Sequence, residues 1–194
     1  AYRFIDFLHA AKQKMWQILP LNPVGYGESP YQGLSAFAGN HLLISVEGLV
    51  TDGLLPENIL ARKPPFKPET IQFRWVKAYK EKLFRMAFQR FRQNARPTDY
   101  EEFLAENAIW LDNYVLFRAL KSHFSEVAWT EWEPAAACRQ PEALNHYRSL
   151  LADEMEYHCF LQYTFFKQWR ALKSYANEKD IKIVGDMPIF VAHD

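Results

Sequence analysis

An α/β fold is predicted for this chain: helices alternating with short strands of a mostly parallel sheet, with a large helical block between them. Three observations carry that expectation. Short apolar runs occur at 16–21 and within 181–191, apolar residues recur at three- and four-residue spacing over most of 71–177, and no glycine occurs between Gly53 and Gly185. Glycine costs about 1 kcal/mol relative to alanine inside a helix, so a long glycine-free stretch favours helices.

Residues 2–15 read as an amphipathic helix, with Phe4, Phe7, Leu8, Ala11 and Met15 on one face. Trp16-Gln17-Ile18-Leu19-Pro20-Leu21 is consistent with a buried strand. Residues 22–40 (NPVGYGESPYQGLSAFAGN) are dense in Gly, Pro, Ser and Asn and read as a loop. Residues 41–46 fit a short strand or a turn, and 54–70 a proline-rich connection. The helical block then opens with Ile71, Trp75, Tyr79, Leu83, Met86 and Phe91 along one face. Thr98 with Glu101 fits a capping box for the next helix, which carries Phe103 and Leu104. Leu116, Phe117, Leu120 and Phe124 continue the pattern. Pro141 suits the first turn of a long helix over 141–177, whose stripe runs from Leu144 through Tyr147, Leu151, Met155, His158, Leu161, Phe165, Trp169 and Leu172 to Ala176. The segment IKIVGDMPIFV at 181–191 reads as an apolar strand entering a turn.

A helix feeding a strand is the βα alternation of a parallel sheet. Such sheets need both faces covered and more than two strands, so the chain reads as a piece of a larger α/β protein. It also starts without a methionine, inside a helix, and stops just past a strand.

The 194 residues carry 23 Lys+Arg against 23 Asp+Glu, and that zero net charge argues against a dedicated nucleic-acid binder. No apolar run is long enough to span a membrane, and no signal peptide opens the sequence. Cys138 and Cys159 are too few for a disulfide framework. P-loop, GxGxxG and GxSxG patterns are absent. His158 and Cys159 are adjacent, the wrong spacing to share one metal, and no second pair supports them. His9, His41, His123 and His146 are scattered and read as surface or satisfied core residues. Aromatics reach 16% of the chain, most of them at helical spacing and therefore core.

Two segments look chemical. The loop 22–40 combines glycines with Tyr26, Glu28, Ser29, Tyr31, Gln32 and Asn40, and tyrosines there offer flat apolar faces with a hydroxyl, as sugar clefts require. A rigid, self-packed surface loop would have the same composition. Gly185-Asp186-Met187-Pro188 puts a carboxylate at the carboxyl end of an apolar strand, where α/β enzymes carry site residues; Asp is also an ordinary turn residue.

Together, WQILPLNPVGYGESPYQGLSAFAGN and GDMPIFVAHD resemble the amylomaltases, the 4-α-glucanotransferases of glycoside hydrolase family 77. The resemblance extends through FIDFLHAAKQKMWQ, ENAIWLDNYVLFRALK and FLQYTFFKQWRALKSYANEKDIKIVGDMPIFV, and is weakest over 60–100 and 127–145. It implies a (β/α)8 TIM barrel with large insertions, incomplete in this chain. Residues 1–53 would hold an early barrel helix, strand and substrate loop. Residues 54–140 would form a mostly helical insertion, and 141–194 a long helix and the next barrel strand. All three would be parts of one larger catalytic domain.

The implied activity is transfer of α-1,4-glucan segments from a glucan or maltooligosaccharide donor to the 4-hydroxyl of an acceptor glucan or glucose. The implied mechanism is a retaining double displacement without cofactor or metal, in starch or glycogen metabolism. Nucleic acid and membrane would have no part in it, and the compartment would be cytoplasmic, or the plastid if the source is a plant. The resemblance maps Tyr31 and Ser29 of SPYQ onto residues near the scissile bond. It maps Tyr26 of GYG onto a second glucan-binding groove and Asp186 onto a contact to the sugar in the cleavage subsite. It assigns no catalytic residue here: the family's nucleophile, acid/base and stabilising carboxylates belong to strands downstream of GDMPIFV, and its first strand lies upstream of Tyr2. Asp186 and Glu28 are therefore not read as a catalytic pair, and the isolated chain is expected to be inactive. Two alternatives remain open from the residues: a non-catalytic α-glucan-binding module using Tyr26 and Tyr31, and a helical interaction protein built on 71–177.

Overall fold

A computed structural model describes all residues except Pro68, Ile189–Val191 and His193, together with the side chain of Tyr26. The 189–191 part of the expected last strand therefore lies outside the described residues. The described residues group into two compact units, one of 1–44 with 164–193 and one of 45–163 with Asp194.

The first unit holds the sheet. Strands β1 (Met15–Gln17) and β2 (Lys182–Val184) pair in parallel, with Trp16 opposite Ile183. The Ile18 N–H donates to the Val184 carbonyl at 2.9 Å and continues the ladder by one bond. Helix α1 (Tyr2–Ala10) lays Ile5 and Leu8 against Ala176, Leu172 and Tyr175 of the long C-terminal helix, and against Trp16, Ile181 and Ile183. This apolar layer is what the alternating helix–strand pattern anticipates.

The second unit is helical. In chain order it contains α2 (Val46–Thr51), α3 (Phe73–Gln93), α4 (Thr98–His123), α5 (Pro134–Ala137) and α6 (Pro141–Leu150). Helix α7 (Ala152–Glu178) begins in this unit and ends in the first. The core of the helical unit is aromatic: Phe91 meets Tyr100 at 5.1 Å and Phe160 at 5.0 Å, Phe88 meets Tyr157 at 5.4 Å, and Tyr100 meets Tyr163 edge-on at 5.1 Å. Offset and edge-to-face contacts of this kind add to the burial of the rings themselves. A neighbouring cluster packs Leu116, Leu120, Trp132, Ala136 and Tyr147 with Phe117 and Phe124. The helical block between the strands is thus as expected, whereas the aromatics divide between these cores and exposed positions such as Phe4, Phe7, Phe37, Trp75 and Trp129.

Several local expectations are corrected. Helix α1 stops at Ala10 rather than 15, because Lys12 takes a left-handed φ of 58° while the Gln13 N–H returns to the Leu8 carbonyl. The strand at 16–21 is shorter, at 15–17, and not buried: Met15 and Leu19 are exposed. Of the two readings of 41–46, strand or turn, the turn holds: a short 3-10 stretch, His41–Leu43, in which the Asn40 side chain accepts the Leu42 N–H. A further 3-10 stretch, Glu57–Arg62, lies in the proline-rich connection. The buried face of α3 is Leu83, Phe84, Ala87, Phe88 and Phe91; Trp75 is 66% exposed, Met86 lies at the margin, and Ile71 precedes the helix. The capping box does not form, since Pro97 occupies the cap position and Thr98 is already inside α4. The long helix is broken at Leu151 (φ −108°, ψ 20°), a kink that leaves Leu144, Tyr147, Leu151 and Met155 all on the Trp132 cluster.

Candidate functional site

Because β1 and β2 run parallel, the chain leaves both at the same end of the sheet. The loop after β1 and the residues after β2 therefore emerge side by side, at the carboxyl ends where α/β proteins form ligand sites. Asp186 follows β2 after a single glycine. Its Oδ1 accepts the Met187 N–H at 2.8 Å, which fixes the carboxylate against its own turn. Its Oδ2 accepts the Tyr31 hydroxyl at 2.7 Å, across 155 residues of sequence.

Tyr31 stands on a short hairpin. Val24 and Gly33 form an antiparallel bridge, the Gly25 N–H donates to the Gln32 carbonyl at 3.1 Å, and the Leu34 N–H donates to the Pro23 carbonyl at 2.9 Å. Inside it, the Ser29 Oγ accepts the Tyr31 N–H at 3.3 Å and the Ser29 carbonyl accepts the Gln32 N–H at 3.2 Å. The Asn22 side chain donates to the Pro30 carbonyl at 3.2 Å. At the far end of the loop, the Ser35 Oγ accepts the Phe37 and Ala38 N–H groups, and the Asn40 N–H returns to the Leu21 carbonyl at 2.7 Å.

The hydrogen bond to Asp186 raises the Tyr31 phenol above its ordinary 10, with desolvation adding in the same direction. The hydroxyl therefore keeps its proton at neutral pH and acts as donor to the carboxylate. Each carboxylate oxygen retains acceptor capacity beyond its present bond. Asp186 is exposed, and Tyr31 is 37% exposed, so a hydroxyl-rich ligand can reach an acceptor and a flat ring together.

Of the four residues singled out, the structure thus brings Tyr31 and Asp186 into contact and sets Ser29 beneath the Tyr31 backbone. Tyr26 contributes backbone to the 3-10 turn Tyr26–Glu28, and its side chain lies outside the described ones. Sequence reasoning misses Asn22 and Gly33, and no sequence signal marks them, because the burial of Asn22 and its close approach to Gly33 appear only in the fold. No cluster of three or more His, Cys, Asp or Glu that could hold a metal occurs among the described residues. Cys159 is largely buried, which pushes its thiol up to about 12 and leaves it protonated at neutral pH. Among the described residues no helix is long and apolar enough to cross a membrane.

Helices joined to parallel strands, with polar side chains gathered at the strand carboxyl ends, define the chain as an α/β protein of the strand-end-site class. The family profile described as 4-alpha-glucanotransferase matches residues 1–194, and the chain belongs to that family. It is 45% identical to the 4-alpha-glucanotransferase of Streptococcus pneumoniae over its whole length, which is 39% of that protein. It is 32% identical to the chloroplastic/amyloplastic 4-alpha-glucanotransferase of Solanum tuberosum, again over its whole length and 34% of that protein. Among solved structures, the amylomaltase from Streptococcus agalactiae in complex with acarbose matches all of the chain with a TM-score of 0.94 at 39% identity, over 39% of that structure. The chain therefore spans well under half the length of the relatives it matches.

Proposed function

We propose that this chain is a section of the catalytic domain of an amylomaltase-type 4-α-glucanotransferase, and that it supplies part of the glucan-binding wall rather than the reacting groups. The observation that carries the reading is the Tyr31–Asp186 hydrogen bond, in a member of this family, at the carboxyl ends of two parallel strands. On this reading the strands belong to a (β/α)8 barrel. Residues 1–53 and 141–194 contribute barrel elements, and 54–140 form a helical insertion.

The Asp186 carboxylate accepts hydroxyls of the sugar in the cleavage subsite and orients it; such bonds strengthen catalysis by fixing the reacting geometry. The Tyr31 ring offers a flat face to the same sugar. Ser29 lines the wall beside it, and Tyr26 belongs to a second glucan contact. The nucleophile and acid/base of a retaining transfer stand about 5–5.5 Å apart, and they come from residues of the parent protein outside this chain. A donor α-1,4-glucan or maltooligosaccharide is cleaved, and its segment passes to a glucan or glucose acceptor that takes the place of water. The relative crystallised with acarbose supports a maltooligosaccharide-like ligand. The relatives' sources support a bacterial cytoplasm or a plant plastid as the compartment.

The test is incubation of the full-length protein with maltotriose. Glucose together with glucans longer than maltotriose is the expected product pattern. Reducing sugar released by hydrolysis, with no longer products, would overturn the assignment.

A further inference from the structure

Tyr31 reaches Asp186 from a turn, Ser29 to Gln32, in a hairpin that lies well beyond β1, so something must hold that turn. The peptide carbonyls on both sides of Tyr31 are restrained. The Gln32 carbonyl is held by the Gly25 N–H within the hairpin, and the Pro30 carbonyl by the carboxamide of Asn22. Asn22 is buried, unlike most of this loop. It reaches Pro30 through the space where residue 33 would carry a side chain. A Cβ at Gly33 would lie 1.5 Å from Asn22 Nδ2 and 2.6 Å from its Cγ, far inside any tolerable contact. The three atoms nearest that Cβ all belong to the Asn22 side chain.

We propose that Asn22 is a positioning residue for Tyr31, and that position 33 is glycine in order to admit the Asn22 carboxamide. The carboxamide supplies the donor that fixes the Pro30 carbonyl, and thereby the direction in which the Tyr31 ring and hydroxyl leave the hairpin. An alanine at 33 expels that carboxamide from its place, so the two positions form one device. This inference rests on the reading of Tyr31 and Asp186 as glucan contacts.

The experiment uses the full-length protein and two double-mutant cycles. The first pairs Asn22→Ala with Gly33→Ala and reads the thermal midpoint. Gly33→Ala alone should lower the midpoint strongly, and in the Asn22→Ala background the same substitution should cost little, because the clashing atoms are gone. Equal cost in both backgrounds would overturn the interlock, whatever the enzyme's activity. The second cycle pairs Asn22→Ala with Tyr31→Ala and reads kcat and KM for maltotriose disproportionation. Asn22→Ala should lower kcat about 10- to 100-fold, the scale expected when a remote change misplaces a contact group by about 1 Å, and should cost nothing further once the Tyr31 ring and hydroxyl are both removed in Tyr31→Ala. Full, independent losses in the double variant would show that Asn22 affects turnover by a route other than Tyr31, and an unchanged kcat in Asn22→Ala that it acts only on stability; either would overturn the positioning role. A Tyr31→Ala enzyme with unchanged kcat and KM would instead remove Tyr31 from the glucan site, leaving the thermal cycle to decide the interlock.

Discussion

Neutralising Glu154 probes the charged network that links α3 to α7 in the helical unit. Arg85 donates to both oxygens of Glu154, at 2.7 and 2.6 Å, and its Nε donates to Glu81 at 2.7 Å. The guanidinium lies 3.5 Å from the centre of the Tyr157 ring, and the Tyr157 hydroxyl donates to the other oxygen of Glu81 at 2.9 Å. Burial alone would raise the Glu154 carboxyl, but the neighbouring His158 and Arg85 outweigh it and hold it at about 2, against an ordinary 4.5. Of these two partners Arg85 is the stronger. His158 Nε2 stands 3.4 Å away without an aligned hydrogen bond, and burial keeps that ring neutral near pH 7. A displacement from 4.5 to about 2 corresponds to about 3 kcal/mol of preference for the ionised form, of which Arg85 supplies only a part. The Arg85 side chain is 41% exposed. Solvent screening therefore reduces what the pair contributes to about 1–2 kcal/mol. The sign follows from linkage. The folded value lies below the unfolded one, so the contribution is complete above about pH 4.5 and drains away as pH falls toward 2. Glu154→Gln should therefore lower stability by about 1–2 kcal/mol at pH 7, with the difference from the parent shrinking as pH falls below about 4.5. Urea midpoints measured from neutral pH down to that acid range are the assay. A difference that stays constant with pH would refute the ionic account and leave only lost packing.

Three further outcomes are expected. Gly39→Ala puts a Cβ 1.9 Å from Phe165 Cδ1. That overpacked contact should cost about 1–3 kcal/mol, read as a lower thermal midpoint. His158 is buried, and that burial depresses its pKa below 6.5 despite the favourable Glu154, with Arg118 and Arg85 opposing protonation as well. The unfolded chain then takes up the proton first, so stability falls as pH drops below about 6.5, and His158→Gln should flatten the pH profile just below that point. Asp186→Asn in the full-length protein should lower maltotriose disproportionation by about tenfold or more while leaving the circular dichroism spectrum unchanged, the scale of one lost charge-assisted hydrogen bond.

What the sequence discloses follows the range of the forces involved. The helical block is legible because apolar spacing of three and four residues is a local signal, and the glycine gap reinforces it. The end of α1 is not, because the turn that closes it uses Lys12 in the left-handed region rather than the glycine that would mark it. The buried face of α3 is misread because apolar residues occur around much of the helix. Trp75 fits the stripe as well as Phe88 does, and only the packing of α7 separates them. Tyr31 and Asp186 are each legible as residues of interest, from loop composition and strand-end position. Their hydrogen bond is not, since it depends on the parallel pairing of two strands far apart in the chain. Asn22 is the plainest omission: its role depends on an absent side chain at Gly33, and absence leaves no pattern to read.

The distribution of chemistry over the chain follows from how differently the two proposed contact residues are held. Asp186 needs little support, because one glycine separates it from a strand and its own turn fixes one oxygen. Tyr31 is remote from its strand, so its position must be built from the loop itself: hairpin bonds at Gly25 and Leu34, a serine under its backbone, and an asparagine against the preceding carbonyl. That requirement explains why glycine, proline, serine and asparagine crowd 22–40 while the helical block has no glycine at all. It also fits the zero net charge. On the proposed reading, a neutral glucan gains nothing from a long-range steering field, so recognition would fall to short-range hydroxyl bonds and ring contacts, whose strength depends on placement to within a fraction of an ångström. A rigid loop is then the demanding part of the site, and substitutions under Tyr31 should weaken transfer as much as substitutions that touch the sugar.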